Sequence, residues 1–407
     1  MILLLLLFLF IDELYPVVNN LLGLSYSSFI YRTLSVLSFI IVIVTFLLTF
    51  YKSRRISKKM ILIILFSITI AVLLCTSYLI YPDKDTFVKT NILIAIFKTV
   101  PSILVAYIIT KTKKVNIYNA IFAINIFMTI SLLKYLLLNA SGILVNLSIN
   151  FGGVNYNDYS YISALNIALG FYLIYYQMAN SKSLRLVFLT ITTLMISYLS
   201  VILSGGRGAL LVSIILLIVF LLTIFKKYSV NFNLKKLLVI SITFIGVSII
   251  GSLFLNNNDS IIQGLQRGFS FLNGDDGLID WDNTSGRLNI YKHSWQLITE
   301  RPILGYGIGA VFFIHPVARF SHNIFLDILL DGGIIFLLIS LLIIISVSTK
   351  ALKRVLKPNY YLFFNLFLFS FLNLLTGSNY FLEPIFWFSI TAIFLLNDDK
   401  SYIEGAK

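Results

Sequence analysis

The sequence predicts an all-α, polytopic integral membrane protein, and three features lead to that class. Hydrophobic residues make up 58% of the 407 residues and charged residues only 12%, with a mean hydropathy of +0.93, which lies outside the balance of a soluble domain. Apolar stretches of about 18 to 25 residues recur along the whole chain, and each can cross a bilayer as a helix. Short basic clusters separate these stretches, as membrane topology requires.

The apolar stretches predict about 12 transmembrane helices within a single transmembrane domain, residues 1–407. Their approximate bounds are 2–22, 29–51, 60–80, 90–110, 116–138, 160–180, 185–203, 208–225, 236–255, 322–348, 359–377 and 380–397. The first stretch lacks a preceding basic region and a small-residue cleavage site, so we expect an uncleaved span and not a signal peptide. It carries Asp12 and Glu13 near its centre, where charge is costly, and if it does not cross, the N-terminus moves to the outer side.

Charge sets the predicted orientation. The net charge is +14, but the basic residues do not form the single face that nucleic-acid binding uses, so no nucleic-acid partner is expected. By the positive-inside rule the basic clusters are cytoplasmic, and they fall at 52–59, 111–114, 182–185, 226–236, 350–357 and 400–407. Both termini are then cytoplasmic, and segment 256–321 becomes a large periplasmic or extracellular loop.

One cysteine and two lysines lie inside the predicted spans. Cys75, the single cysteine, excludes an intrachain disulfide and a cysteine metal cluster, and we expect it to pack in the apolar interior. Lys98 and Lys134 lie near the middle of spans, where they either pair internally or line a cavity.

The large outer loop contains one predicted helix, at about 286–300. Its apolar residues Leu288, Tyr291, Trp295 and Ile298 recur at near-helical spacing, which indicates a short amphipathic helix at the membrane interface. Pro302 ends this helix, and the glycines at 305, 307 and 309 predict unusual backbone angles after it.

A glycine-rich turn at 204–209 is the sharpest chemical motif. The residues Gly206, Arg207 and Gly208 join the outer end of one span to the start of the next. Amide groups of such a turn, with a helix N-terminus behind them, form an anion site, and an arginine adds a fork suited to phosphate. The alternative is a tight helical hairpin whose arginine extends to the interface.

A second motif, Ser321-His322-Asn323, precedes the tenth predicted span. We expect Ser321 to be the N-cap and His322 to lie in the first helical turn, where nearby arginines and the helix N-terminus keep the imidazole neutral and able to accept a proton. The alternative is a histidine that only satisfies local hydrogen bonds. His293 and His315 have weaker contexts.

Arginines of the outer loop are the third signal. Arg287 begins the amphipathic helix, and Arg267, Arg301 and Arg319 lie in the same loop, where they could instead pair with its aspartates. The predicted topology puts Arg207, these arginines and His322 on one side of the membrane, so they can converge. Cytosolic nucleotides are absent there, so an anionic substrate would arrive attached to lipid.

Together these motifs resemble the O-antigen polymerase and O-antigen ligase superfamily of bacterial envelope polysaccharide assembly. The resemblance rests on the stretch 204–209, on Gly286-Arg287 followed by 302–307, and on Ser321-His322-Asn323 with Asp331-Gly332-Gly333 after it. Order, spacing and topology agree over roughly residues 200–345, whereas the N-terminal half matches only as a series of spans.

The resemblance implies a GT-C-like bundle and a metal-independent glycosyl transfer that needs no cofactor. The donor would be a glycan on undecaprenyl pyrophosphate. Arg207 and Arg287 would hold the pyrophosphate. From the residues themselves, and not from the resemblance, we also assign Gly206, Gly208, Arg301 and Arg319 to this anion site. His322 would deprotonate the acceptor hydroxyl or orient the substrates. Fixed positive charge is what a pyrophosphate leaving group needs in the absence of a metal.

The expected activity is polymerisation of lipid-linked repeat units at the outer face of the bacterial cytoplasmic membrane. The expected partners are the lipid-linked donor and acceptor, membrane lipids, a chain-length regulator and a flippase. Three alternatives stay open: a ligase that transfers glycan to lipid A core or another acceptor, a flippase or transporter, and a structural membrane protein. Asp12 and Glu13 also resemble the acidic first-loop base of other lipid-dependent glycosyltransferases.

Overall fold

The computed structural model describes residues 2–25, 27–53, 58–80, 86–140, 156–227, 287–314 and 320–396, and all regular secondary structure in these ranges is helical. The helices are α1 (Ile2–Leu9), α2 (Ile11–Leu22), α3 (Ser28–Ser53), α4 (Lys58–Ile80), α5 (Thr86–Thr110), α6 (Lys114–Ala140), α7 (Tyr156–Ala179), α8 (Leu184–Ser204), α9 (Arg207–Lys227), α10 (Arg287–Glu300), α11 (Val311–Ile314), α12 (Ile324–Lys353), α13 (Pro358–Leu374) and α14 (Pro384–Leu395). The predicted all-α class is confirmed.

Eight of these helices, α3 to α9 and α12, are long and apolar enough to cross a membrane. They correspond to eight of the predicted spans, so the chain is a multi-pass membrane protein. Cys75 on α4 is exposed and not packed in the interior as predicted, because it lies on a helix face that turns many apolar side chains outward to the lipid. The predicted span at 236–255 lies outside the described ranges.

The first predicted span is broken. Helices α1 and α2 meet at an angle of 93°, so the pair is either one bent span or a re-entrant segment, and nine crossings are the upper count within the described ranges. The acidic start of α2 accounts for the break, because Asp12 accepts hydrogen bonds from Tyr31 and from Lys98, whose Nζ lies 2.6 Å from Asp12 Oδ2. Lys134 donates to the Asn20 carbonyl at 2.6 Å. Both intramembrane lysines are therefore paired internally.

The last two helices form a short hairpin inside the bundle. α14 has 12 residues and covers about 18 Å, which is less than a bilayer core of roughly 30 Å. The turn that joins it to α13, residues 375–383, contacts the middle of α5, where Thr99 Oγ1 donates to the Phe381 carbonyl at 2.9 Å. The predicted spans 359–377 and 380–397 therefore enclose a turn that packs against α5 inside the bundle. The count of about 12 crossings stays a prediction.

α7 is the central helix, with 89% of its apolar window buried. Asn166 joins it to both neighbours: its amide donates to Thr129 Oγ1 of α6 and to Ser197 Oγ of α8, each at 2.9 Å, and it accepts from Asn125 Nδ2 at 2.8 Å. Such satisfied buried amides fix the register of packed helices. They also fix the N-terminal part of α7, which bears Tyr161.

At a kink in α12, the helix forms backbone hydrogen bonds with the glycine-containing segment 302–307 that follows α10. Gly333 has φ 62° and ψ −161°, which interrupts α12. The amides of Tyr306 and Gly307 donate to the carbonyls of Leu330 and Asp331, both at 2.8 Å, and the amide of Ile334 donates to the Pro302 carbonyl at 2.9 Å. The backbone groups that the kink releases are thus satisfied by the loop.

Only glycine fits at this junction, so we expect Gly333→Ala to destabilise the fold strongly. A Cβ at Gly333 would lie 2.3 Å from the backbone carbon and oxygen of Ile303, and the backbone conformation alone costs about 1–3 kcal/mol for other residues. Gly307→Ala is the matched control, because Gly307 also has positive φ but no atom lies within 4 Å of its added Cβ. Thermal unfolding in detergent should show the larger loss for Gly333→Ala, and equal losses would contradict the steric account.

Candidate functional site

The glycine-rich turn lies between two helices, as predicted. α8 ends at Ser204, Gly205 takes a left-handed conformation with φ 65°, and its amide donates to the Ile202 carbonyl at 3.2 Å. α9 then begins at Arg207, which is partly exposed. The first amides of α9 therefore accompany the Arg207 guanidinium at one helix N-terminus, which is the arrangement that favours an anion.

The glycines on either side of Arg207 bring this helix start against α7. A Cβ at Gly206 would lie 2.0 Å from Ser160 Oγ, and a Cβ at Gly208 would lie 2.2 Å from Tyr161 Oη and 2.9 Å from Thr376 Oγ1. The sequence had suggested that both glycines serve an anion. Their immediate structural role is this close helix approach, which puts the start of α9 beside Tyr161.

Tyr161 and Thr376 are site residues that the sequence did not single out. Their hydroxyl oxygens lie 2.6 Å apart and both residues are partly exposed. Neither belongs to a recognisable motif, because each occurs in an apolar helix or helical turn rich in similar residues. Only the packing of α7 and α13 brings them to the start of α9.

Arg287 lies at this same place. It is the first residue of α10, is partly exposed, and lies within electrostatic range of Tyr161. The start of α9, which Arg207 opens, and the start of α10 therefore both lie near Tyr161. Two helix N-termini and two guanidinium groups concentrate positive potential at this point.

The amphipathic helix forms with bounds close to those predicted. Ser294 and Ile298 are its buried residues, whereas Leu288 and Trp295 are exposed. Arg301 follows its far end, about 20 Å from Arg287 by helical rise, and its guanidinium lies 4.8 Å above the Tyr306 ring. The structure therefore separates Arg301 from Arg287. Arg267, His315 and Arg319 lie outside the described ranges, so their predicted roles stay predictions.

His322 precedes α12 instead of lying in its first turn, so the predicted capping arrangement was wrong. The N-cap is Asn323, whose Oδ1 accepts from the amides of Phe325 at 3.0 Å and Leu326 at 3.4 Å. Ser321 does not cap the helix, because its hydroxyl faces Asp327 Oδ1 at 2.6 Å, with the Asn323 carbonyl at 2.9 Å as the alternative acceptor of its single proton. His322 itself has φ 56°, a left-handed conformation that is uncommon outside glycine and that recurs at functional sites.

Asp327 holds this turn in place. Its Oδ1 accepts from the Ser321 amide at 2.8 Å and the Ser321 hydroxyl at 2.6 Å, and its Oδ2 accepts from Asn379 Nδ2 at 2.8 Å. The carboxylate is fully buried. Asp327 could have been found in the sequence as the acidic residue of the first turn of α12, whereas Asn379 gave no signal.

The turn at 375–383 connects the two parts of the site. Thr376 contacts Tyr161 near the two arginine-headed helices, and Asn379, three residues later, binds the Asp327 carboxylate that supports His322. Arg207, Arg287 and His322 are thus arranged around one turn from three different helix starts. The imidazole packs against Phe320, with ring centroids 4.5 Å apart.

An acidic cluster lies on the inner side of the same turn. Glu383 is buried and accepts from Asn373 Nδ2 at 3.0 Å, and Lys98 Nζ lies 3.4 Å from the carbonyl of the preceding residue, Leu382. Asp12 pairs with Lys98 at the edge of this cluster. Within the described ranges, no three His, Cys, Asp or Glu side chains are grouped as ligands of one metal ion would be.

Comparison with known proteins bears directly on this region. Residues 191–341 match a family model described as O-antigen ligase, and this interval contains Arg207, Arg287 and His322. No curated protein matches the sequence. Enzymes of the matched family transfer lipid-linked glycans. The chain is therefore a multi-pass membrane protein in which residues 191–341 carry the Wzy_C O-antigen ligase domain of polysaccharide biosynthesis.

Proposed function

We propose that this protein polymerises oligosaccharide repeat units carried on undecaprenyl pyrophosphate, at the outer face of the bacterial cytoplasmic membrane. The observation that supports this most is that the α9 and α10 helix starts, headed by Arg207 and Arg287, both lie near Tyr161. A dianionic pyrophosphate attached to a membrane lipid fits such a site. Arg301 and Arg319 would contribute to donor binding from farther along the outer loop.

In the proposed reaction the acceptor hydroxyl oxygen attacks the anomeric carbon of the donor sugar. The bond between that carbon and the phosphate oxygen breaks, and undecaprenyl pyrophosphate leaves with the electron pair. Arg207, Arg287 and the helix amides stabilise the charge that develops on the leaving group. His322 accepts the proton of the hydroxyl as the new glycosidic bond forms.

The proposal requires the site to face outward, with about 12 spans and both termini in the cytoplasm. We therefore expect an impermeant maleimide, added to intact cells, to label Gln296→Cys on α10 but not Lys113→Cys before α6. Both positions are exposed. The exposed Cys75 must first be changed to serine. Labelling at Lys113→Cys with protection at Gln296→Cys would reverse the orientation and place the site on the cytoplasmic side.

A ligase is the second candidate, and the description of the matched family favours it. Proteoliposomes that contain the purified protein and a lipid-linked repeat distinguish the candidates. A polymerase forms a ladder of longer lipid-linked products from this substrate alone, whereas a ligase forms product only when lipid A core or another acceptor is added. A transporter moves the donor across the bilayer without forming a new glycosidic bond. A ladder that needs no added acceptor would support polymerisation, and its absence from active protein would contradict it.

His322 should depend on the Asp327 and Asn379 pair for its position. Asp327→Asn puts a side-chain amide opposite the Asn379 amide and removes the buried hydrogen bond from Asn379 to the Asp327 carboxylate. We therefore expect the rate of glycan transfer to fall by about tenfold or more. The double variant Asp327→Asn with Asn379→Asp exchanges the carboxylate and the amide, so that an amide at position 327 can again donate to a carboxylate at position 379. Rescue of the turnover number, measured at matched expression, is the expected result. A double variant no better than Asp327→Asn would contradict this positioning role.

A further inference from the structure

The hydroxyl groups of Tyr161 and Thr376 form a pair at the start of α9. Their oxygens lie 2.6 Å apart, and either hydroxyl can donate the hydrogen bond. A Cβ added at Gly208, the second residue of α9, would lie 2.2 Å from Tyr161 Oη, so this oxygen is within roughly 4 Å of the Gly208 backbone itself. Both residues of the pair are partly exposed. An anion bound at this helix start would therefore have the Tyr161 hydroxyl beside it.

The N-cap residue of α9 is a glycine. Gly206 takes this position because its carbonyl accepts the first helical hydrogen bond, from the Leu210 amide at 2.9 Å. Serine, threonine or aspartate at an N-cap would accept from the amides of the first turn, but glycine has no side chain to do so. A phosphate oxygen is a suitable acceptor for these amides. An oxygen that accepts from the Gly208 amide at about 2.9 Å can also accept from Tyr161 Oη.

The hydrogen bonds around Thr376 allow the pair to change its donor at little cost. Thr376 Oγ1 lies 3.2 Å from the Leu372 carbonyl and 3.4 Å from the Asn373 carbonyl, so its proton can go to the helix while its oxygen accepts from Tyr161. Both carbonyls also accept from backbone amides, of Leu375 at 3.2 Å and of Thr376 at 3.0 Å. The Thr376 hydroxyl can therefore rotate and donate to Tyr161 Oη without leaving either carbonyl unpaired. The Tyr161 proton is then directed to a ligand.

We propose that Tyr161 donates a hydrogen bond to a pyrophosphate oxygen of the lipid-linked glycan, and that Thr376 is the positioning residue behind it. This inference rests on the proposed function and adds a neutral hydroxyl to the charges of Arg207 and Arg287. Negative charge on the pyrophosphate increases as its bond to the anomeric carbon breaks. A hydroxyl already fixed beside these oxygens therefore stabilises the transition state more than the bound substrate. Thr376 keeps the phenol oriented whether or not the ligand is bound.

The test titrates the purified full-length protein in detergent with undecaprenyl pyrophosphate, the proposed leaving group, and follows bound lipid by native mass spectrometry and stability by thermal unfolding. Tyr161→Phe removes only the hydroxyl, and we expect it to weaken binding by about tenfold to a hundredfold, the range for a lost hydrogen bond to a charged group. Thr376→Val should weaken binding less, because Tyr161 keeps its proton. Thr376→Ser keeps the hydroxyl and should bind as the parent does. Equal affinity of Thr376→Val and Thr376→Ser would contradict the positioning role.

Tyr159→Phe is the matched control, because it removes the same atom from the same helix. The Tyr159 hydroxyl donates to the Ser131 carbonyl at 3.1 Å inside the bundle, so its loss should lower thermal stability and keep parental affinity. Equal weakening in Tyr159→Phe, or parental affinity in Tyr161→Phe, would overturn the role of Tyr161 and leave the arginine site intact. A parent protein that binds no undecaprenyl pyrophosphate, or binds it no better than Arg207→Ala does, would instead overturn the proposed function and this inference with it.

Discussion

Replacing either Arg207 or Arg287 by alanine is expected to abolish formation of the glycan product. Each arginine begins a helix beside Tyr161, so each alanine variant removes a fixed charge from the position where the pyrophosphate would leave. Loss of one preorganised donor to a developing anion typically costs about 10²–10³-fold in rate. Lysine should recover little of the activity, because a single ammonium cannot reproduce the two parallel hydrogen bonds of a guanidinium.

Arg185→Ala is the matched control for this experiment. Arg185 is an exposed arginine in the first turn of α8, at the opposite end of that helix from the glycine-rich turn. It should leave product formation close to the parental level. Product yield is measured on gels with purified, expression-matched protein. Near-normal product from both Arg207→Ala and Arg287→Ala would remove the anion-site proposal.

Replacing His322 by alanine is expected to reduce transfer by about two to four orders of magnitude, the range for a lost proton-transfer group, while the protein stays folded and inserted. His322→Asn is the sharper variant, because asparagine tolerates the left-handed backbone that His322 adopts but cannot act as a base. Both variants should bind donor normally.

A purely structural histidine predicts a different result. Activity would then fall in proportion to the amount of folded protein, and His322→Asn would be close to the parent because its backbone is accommodated. Turnover per folded molecule, obtained from size-exclusion profiles and single-turnover assays, separates the two cases. A well-folded His322→Ala variant with normal turnover would end the catalytic assignment.

Much of the architecture could be predicted from hydrophobicity, because a bilayer demands long apolar helices whatever the details of their packing. The break between α1 and α2 and the short α13 and α14 hairpin could not. Both depend on internal polar partners: Asp12 pairs with Lys98, and Thr99 binds the Phe381 carbonyl. Apolar periodicity gives no information on such long-range contacts, so a buried turn resembles two ordinary spans in the sequence.

In the candidate site, too, some residues could be predicted from the sequence and others could not. Arg207, Arg287 and His322 were identified from motifs, because glycine, arginine and histidine are rare and conspicuous in an apolar chain. Tyr161, Thr376 and Asn379, which contact or position these residues, come from distant segments and belong to no local sequence motif. They can therefore be identified only from the fold. The capping error at Ser321 arose because two residues with good capping side chains lie two positions apart, and the buried Asp327 carboxylate decides between them.

In the proposed mechanism Arg207 and Arg287, at the starts of α9 and α10, hold the donor, and His322 accepts the proton of the acceptor hydroxyl. The most direct test measures donor binding and single-turnover transfer on the same purified variants, with a lipid-linked repeat in nanodiscs. We expect Arg207→Ala and Arg287→Ala to lose donor binding, whereas His322→Asn should bind the donor with parental affinity and fail to transfer it. Parental donor binding in both arginine variants, or normal transfer by His322→Asn, would rule out this mechanism.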